Sequence, residues 1–267
     1  MINKETRIVP RPDVRGRGDI MSKIYEALQQ AYQQKKTNGK NLETIIPQNL
    51  FNRDELEIGE EMLSLYKVID TLLSGVKNPV VQFIGSSAGE GTSTIVWELA
   101  KTVADRIGYR VLLVDADRCK GTQSKFYSVG SQFSWTEALL ESSDVGDAIY
   151  QVNDSSLFVS PASNVCVPTP ELFNSPRFDE FLADLKHNFD LVLIDSQPLT
   201  VSPDALAITA KVDGIIMVVE AERTKWRTAK YVREKIEMVG GNVLGVVLNK
   251  RRYYIPRSIY KYLYAGE

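Results

Sequence analysis

Histidine is nearly absent from this 267-residue chain and cysteine is scarce: His187 stands alone, and Cys119 and Cys166 are the only thiols. Neither cysteine belongs to a CxxC or to a His-containing metal spacing, which excludes a zinc module and a disulfide-stapled scaffold and leaves reduced cytosolic thiols as the expectation. Long hydrophobic runs are missing too. No stretch approaches the ~18 apolar residues of a membrane span. The opening Met1-Ile2-Asn3-Lys4-Glu5-Thr6-Arg7 lacks the apolar core of a secretion signal, so a cytosolic protein is expected. An excess of either charge is also lacking. With 32 Lys and Arg against 34 Asp and Glu, the net charge of −2 argues against a general nucleic-acid binder.

What the chain does have is enough apolar residue, 43% against 25% charged, to bury the core of one large α/β domain. Residues 1–20 carry Pro10, Pro12, Gly16 and Gly18 without apolar periodicity and are expected to be disordered. Ser22 caps an expected helix to about Gln34, and Lys35 to Leu50 reads as a linker, so residues 1–50 form an appendage to a domain over 51–267. Leu56, Met62, Tyr66, Ile69 and Leu73 recur at helical spacing between Asp54 and Ser74, before a stop at Gly75. Beyond it apolar runs alternate with helical patterns. Strands are expected at 79–84, 110–114, 156–160, 190–194, 214–219 and 243–248, with helices at 92–107, 134–141, 176–187, 203–210 and 224–238. That alternation predicts a doubly wound, mostly parallel sheet covered on both faces, with an N-terminal helical arm.

In such sheets ligands bind beyond the carboxyl ends of the strands. Three polar segments follow strands directly. The first, Ser86-Ser87-Ala88-Gly89-Glu90-Gly91-Thr92-Ser93-Thr94, has the design of a phosphate-binding loop, in which backbone N–H groups wrap phosphates, a lysine reaches them and the next Ser or Thr holds Mg²⁺. Gly89, Gly91 and Ser93 stand where that design wants them, but Thr92 stands at the lysine. A unit charge about 4 Å from a phosphate oxygen is worth roughly 4 kcal/mol at an effective dielectric near 20, and about 1.4 kcal/mol is tenfold in rate. Losing it costs on the order of a thousandfold in transition-state stabilisation by that measure. Ground-state binding depends less on the lysine, because the loop backbone and the helix N-terminus attract phosphate without a side chain.

The other two segments are acidic: Asp115-Ala116-Asp117 after Val111-Leu112-Leu113-Val114, and Asp195-Ser196-Gln197-Pro198 after Leu191-Val192-Leu193-Ile194. A single strand-end Asp more often caps the following turn. Three carboxylates beside a phosphate loop instead hold Mg²⁺ through water and orient an attacking hydroxyl.

The order of Gly-Glu-Gly-x-Ser-Thr, Leu-Leu-Val-Asp-Ala-Asp and Asp-Leu-Val-Leu-Ile-Asp resembles the bacterial tyrosine kinase family, P-loop proteins that regulate capsular and exopolysaccharide assembly. Pro170-Glu171-Leu172-Phe173-Asn174-Ser175-Pro176-Arg177-Phe178, Ser202-Pro203-Asp204-Ala205 and Val243-Leu244-Gly245-Val246-Val247-Leu248-Asn249 are similar to segments of that family, as is Ser22-Lys23-Ile24-Tyr25-Glu26-Ala27-Leu28. The resemblance implies ATP and Mg²⁺ as ligands. Ala88, Gly89, Glu90, Gly91, Thr92, Ser93 and Thr94 would cradle the phosphates, Ser93, Asp117 and Asp195 would attend the metal, Asp115, Asp117 and Asp195 would be catalytic, and Asn249 would read the adenine. It also implies a membrane-embedded polysaccharide co-polymerase or chain-length protein as partner, and a homo-oligomer.

Departures from the family are specific. Ser87 replaces the second lysine of related partition ATPases, and Ser196-Gln197-Pro198 replaces Thr-Pro-Pro. Glu61-x-x-Ser64-x-x-Lys67 is the nearest match to a ring-forming Glu-x-x-Arg-x-x-Arg. The expectation is therefore a regulatory or scaffolding subunit with impaired phosphoryl transfer, the alternative being an active autokinase that borrows a cation from Lys101, Arg118, Lys120 or a neighbouring subunit.

Five of the twelve tyrosines, Tyr253, Tyr254, Tyr260, Tyr262 and Tyr264, fall in the last fifteen residues. In the resembling family such a cluster accepts phosphate, but here Pro256 begins a plausible short helix that favours docking. Lys250, Arg251, Arg252, Arg257 and Lys261 make the segment basic and suited to an anionic inner leaflet, at roughly 1 kcal/mol per charge. Trp97, Trp135 and Trp226 are expected to pack, and His187 to sit at a helix end.

Overall fold

The computed structural model describes residues 5–8, 44–45, 55–117, 133–141, 143–162, 170–202 and 204–251. The expected helix at 22–34, the tyrosine-rich segment from 253, Arg118, Lys120 and both cysteines lie outside the described residues. Among the described residues nine strands form one sheet: β1 (Glu5–Ile8), β2 (Thr44–Ile45), β3 (Val80–Gly85), β4 (Val111–Ala116), β5 (Tyr150–Val152), β6 (Leu157–Ser160), β7 (Leu191–Ser196), β8 (Gly214–Glu220) and β9 (Val243–Arg251). Their spatial order is β1-β9-β8-β3-β7-β4-β6-β5-β2. The six from β9 to β6 run parallel, while β1 pairs antiparallel with β9, and β5 antiparallel with β6. Every residue of β3, β4 and β7 is buried, as strands covered on both faces require.

Helices α1 (Glu55–Leu72) and α2 (Thr92–Ile107) cover one face. Met62, Leu65, Ile69 and Leu73 of the α1 segment and Ile95, Leu99 and Val103 of α2 share a core with Val81, Phe83, Leu113, Leu193, Ile216 and Val218. The alternate residues of the same strands, Val80, Leu112, Val114, Val192 and Ile194, face α3 (Trp135–Glu141), α4 (Pro170–Phe173) and α5 (Pro176–Asn188). At the β8 side Ile84, Ile215 and Met217 meet α6 (Asp204–Thr209) and α7 (Trp226–Met238) through Ala205, Val232 and Ile236. The period-2 alternation of each strand thus supplies both layers. Gln82, fully buried among these apolar groups, is satisfied by Ser196 Oγ at 2.8 Å, the Ala205 carbonyl at 2.9 Å and the Thr209 hydroxyl at 2.9 Å, which pins α6 to the sheet.

Three expectations need correction. Residues 5–8, expected without structure, pair with β9 at Arg7↔Leu248 and Ile8↔Val247; β9 would otherwise leave its ladder groups unpaired at the edge. Thr44 and Ile45, within the expected linker, do the same for β5 at the opposite edge. Trp97 and Trp135 are buried as expected, but Trp226 is 76% exposed, since it opens α7 at the first helical position rather than on the stripe that carries Val232 and Ile236.

Candidate functional site

The loop after β3 sits at the middle of the sheet, because β3 is flanked by β7 and β8, and β7 in turn by β4. The three motif strands therefore lie side by side. Asp115 and Asp195 are direct register partners, and Phe83 of β3 pairs with Asp195 on the other side. Segments separated by many tens of residues in sequence converge on one edge of the sheet.

Gly89 (φ 84°) and Gly91 (φ 88°) take left-handed conformations that a side chain resists. At Gly91 a Cβ would also come within 2.4 Å of Asn249 Nδ2. Gly91 is the N-cap of α2 and makes no side-chain cap, so the first turn of the helix presents backbone N–H groups at the loop. Glu90 is folded into the loop at 2% exposure. Its Oε2 accepts from the Ser86 N–H at 2.6 Å and the Ser87 N–H at 2.8 Å, and its Oε1 from the Ser86 hydroxyl at 2.6 Å and from the Thr224 hydroxyl. A carboxylate inside the turn thus fixes its shape. Thr92 is also buried, its hydroxyl 2.9 Å from the place a Cβ on Gly85 would occupy, so the residue at the lysine position is turned back against the end of β3. Ala88 and Gly89 are exposed; Ser93 and Thr94 are half-buried.

Asp115 and Asp195 are each 1% exposed. The Asp115 Oδ1 accepts from the Asp117 N–H at 2.9 Å, and the Asp115 carbonyl from Trp135 Nε1 at 2.8 Å. Asp117 Oδ1 accepts from Gln197 Nε2 at 2.8 Å, so the residue that departs from Thr-Pro-Pro joins the second motif to the third. The Thr200 hydroxyl donates to the Ser86 carbonyl at 2.9 Å, closing the third motif onto the loop. Among the described residues no three of His, Cys, Asp and Glu gather to hold a metal ion. Magnesium asks for less, keeping several waters and taking one or two carboxylates beside substrate phosphates.

Asn249 lies against the loop at 8% exposure: its Nδ2 donates to the Glu90 carbonyl at 2.7 Å and its Oδ1 accepts from the Lys250 N–H at 2.7 Å. Sequence reasoning missed the next layer. Lys250 Nζ donates to the Gly89 carbonyl and to Glu220 Oε2, the latter at 2.9 Å; Arg223 Nη1 donates to the same Oε2 at 3.1 Å; and the Thr224 hydroxyl that serves Glu90 accepts from the Glu220 N–H at 3.0 Å. Burial works against ionisation of Glu220, but the hydrogen bonds from Lys250 and Arg223 outweigh it and hold the carboxyl below the usual glutamate range. Glu220 ends β8, Arg223 and Thr224 follow it and Lys250 is the penultimate residue of β9, so only the order of the strands brings this layer to the loop.

A glycine-rich loop between a central parallel strand and a helix, with acidic ends of the two neighbouring motif strands beside it, defines a nucleotide-binding fold of the P-loop type. A family model described as an AAA domain matches residues 79–242. The tyrosine-protein kinase CpsD of Streptococcus agalactiae is 32% identical over 178 residues, covering 66% of this chain and 77% of the relative. The chain belongs to the bacterial tyrosine kinase family. Among solved structures it resembles the chimerical protein CapA2B2 (TM-score 0.68, 24% identity, 79% of this chain and 96% of that one). It also resembles the kinase domain of the Escherichia coli tyrosine kinase ETK (TM-score 0.65, 18% identity, 83% and 85%). At these identities the structural likenesses speak to the fold.

Proposed function

We propose that this chain is a cytosolic regulatory or scaffolding protein of exopolysaccharide biosynthesis or export that binds ATP with Mg²⁺ and transfers phosphate poorly. The observation that carries it is the state of the loop: the cradle is built, while its lysine position holds a buried, inward-turned Thr92.

The shape of the loop supports a nucleotide there. Gly89 and Gly91 leave the loop backbone bare on its exposed side, and the α2 N-terminus carries no side-chain cap, so both features favour an anion. Ala88 to Thr94 would wrap the phosphates, with Ser93, Asp117 and Asp195 attending Mg²⁺, which when bound draws negative charge off the phosphates. Asp115, held beside Asp195 by strand register and steadied by the Asp117 N–H, is proposed to take a hydroxyl proton. Asn249 is proposed to meet the adenine while its amide braces the loop.

The partner is proposed to be a membrane-embedded co-polymerase or chain-length protein, reached at the inner membrane with help from the basic C-terminal segment, and homo-oligomers are proposed alongside it. Among the described residues no helix is long and apolar enough to cross a membrane itself. The alternative, an active autokinase, is favoured by the cations beside the loop.

The test is transfer of the ATP γ-phosphate to tyrosine by the purified chain and by Thr92→Lys. Slow transfer that rises by about a hundredfold or more in the variant is expected, following the value of one unit charge at the phosphates. Rapid transfer by the unaltered chain would replace this reading with the autokinase.

A further inference from the structure

Two cations stand at the loop that lost one. Lys250 is held in a left-handed conformation (φ 58°) near the end of β9, and its ammonium reaches the Gly89 carbonyl and Glu220. Arg223, in the turn after β8, bonds the same carboxylate, and its Nη1 lies 3.8 Å from the place a Cβ on Gly89 would occupy. Both charges thus converge on one corner of the loop, where Glu220 Oε2 accepts from each.

The loop offers a phosphate its backbone N–H groups and a helix N-terminus but no side-chain cation of its own. Glu90 places a buried carboxylate inside it, and the partners of that carboxylate, two backbone N–H groups and two hydroxyls, are all uncharged. With Thr92 in place of a lysine, an incoming phosphate meets that carboxyl group and gains no charge from position 92. Positive charge must come from another element. An ammonium has three protons, and Lys250 gives two to the Gly89 carbonyl and Glu220 among the described residues. A guanidinium has five N–H donors, of which Arg223 gives one to Glu220, and its side chain is 67% exposed.

We propose that Lys250 and Arg223, gathered on Glu220, supply the positive charge for a nucleotide's phosphates in place of the missing loop lysine. Lys250 also braces the loop through Gly89, whereas Arg223 touches the loop only as a neighbour. Glu220 is a positioning residue, its carboxylate keeping both cations at the corner. The inference rests on the reading that the loop binds ATP.

The experiment is calorimetric titration of the full chain, Lys250→Met, Arg223→Gln, Thr92→Lys and the Thr92→Lys/Lys250→Met pair with Mg-ATP and, separately, with adenosine. The expected result is ATP binding weakened roughly tenfold or more in Lys250→Met and about threefold in the exposed Arg223→Gln, with adenosine affinity unchanged and ATP binding recovered in the pair. ATP affinity equal to that of the unaltered chain in both single variants overturns the proposal, and so does an equal loss for ATP and adenosine, which would leave Lys250 a brace alone. If the unaltered chain binds no ATP while Thr92→Lys does, the cations do not replace the lysine and the loop remains a nucleotide loop. If neither binds, the ATP reading falls and the proposal with it. Melting temperatures without nucleotide identify a misfolded Lys250→Met, in which case Arg223→Gln decides.

Discussion

At the scale of single residues the loop is specified twice, by the glycines that let it turn and by the polar groups that hold the turn. Gly91→Ala would place a methyl 2.4 Å from Asn249 Nδ2 in a left-handed backbone. A left-handed residue with a side chain costs roughly 1–2 kcal/mol, and the displaced Asn249 adds to it, so a loss of at least about 2 kcal/mol in urea unfolding is expected. Glu220 carries a pH signature. Its carboxyl is held below the usual range in the folded chain, so its ion pairs contribute fully above the ordinary glutamate value and are lost as pH falls through the lowered one. Glu220→Gln should therefore unfold at lower urea than the unaltered chain near neutrality, the gap closing on acidification. A gap constant with pH would show that the ion pairs do not link stability to protons. The glycines, Thr92 and the strand-end aspartates were legible in the sequence because the chemistry of a phosphate loop assigns them fixed local offsets. Glu220, Arg223 and Lys250 were not, because nothing local couples a turn after β8 to a loop after β3; only the sheet order brings them together.

At the scale of elements, periodicity did most of the reading. Of the stripe read from spacing, Met62, Ile69 and Leu73 are buried and Tyr66 is half-buried, and Ile69, fully buried under the sheet, should cost about 2–5 kcal/mol when truncated to Ala. Trp135 couples an element to the site: its ring stacks on Phe181 at 5.7 Å with 10° between planes, and its Nε1 holds the Asp115 carbonyl. Trp135→Phe keeps most of the ring contact and leaves that buried carbonyl without this donor, an expected loss of about 1–3 kcal/mol by chemical denaturation. A value near zero would mean that the bond to Asp115 contributes nothing net. β1, β2 and β5 lack the apolar run that marks the equally short β6, and two of them lie in segments whose composition read as unstructured. Trp226 misled for a related reason, since hydrophobicity says that a residue can pack but its helical phase decides whether it does.

At the scale of the molecule, the carboxyl ends of β9, β8, β3, β7 and β4 lie together, and the three polar segments that follow strands, with the layer that was missed, lie there. The fold class was readable because six parallel strands need helical crossovers, and those crossovers write the alternation into the chain. The order of the strands was not, because neighbours in space are chosen by packing of faces rather than by succession.

That order has a bearing on how the chain is made. Val80, at the start of the central strand, pairs with Val192, and its neighbour Val81 pairs with Gly214. A ribosome emitting this chain exposes the phosphate loop long before either flanking strand exists, so β3 must wait, bare on both edges, while everything between it and β7 is made. A nascent chain held at about residue 190 should consequently be a better client for chaperones and proteases than one released past 220.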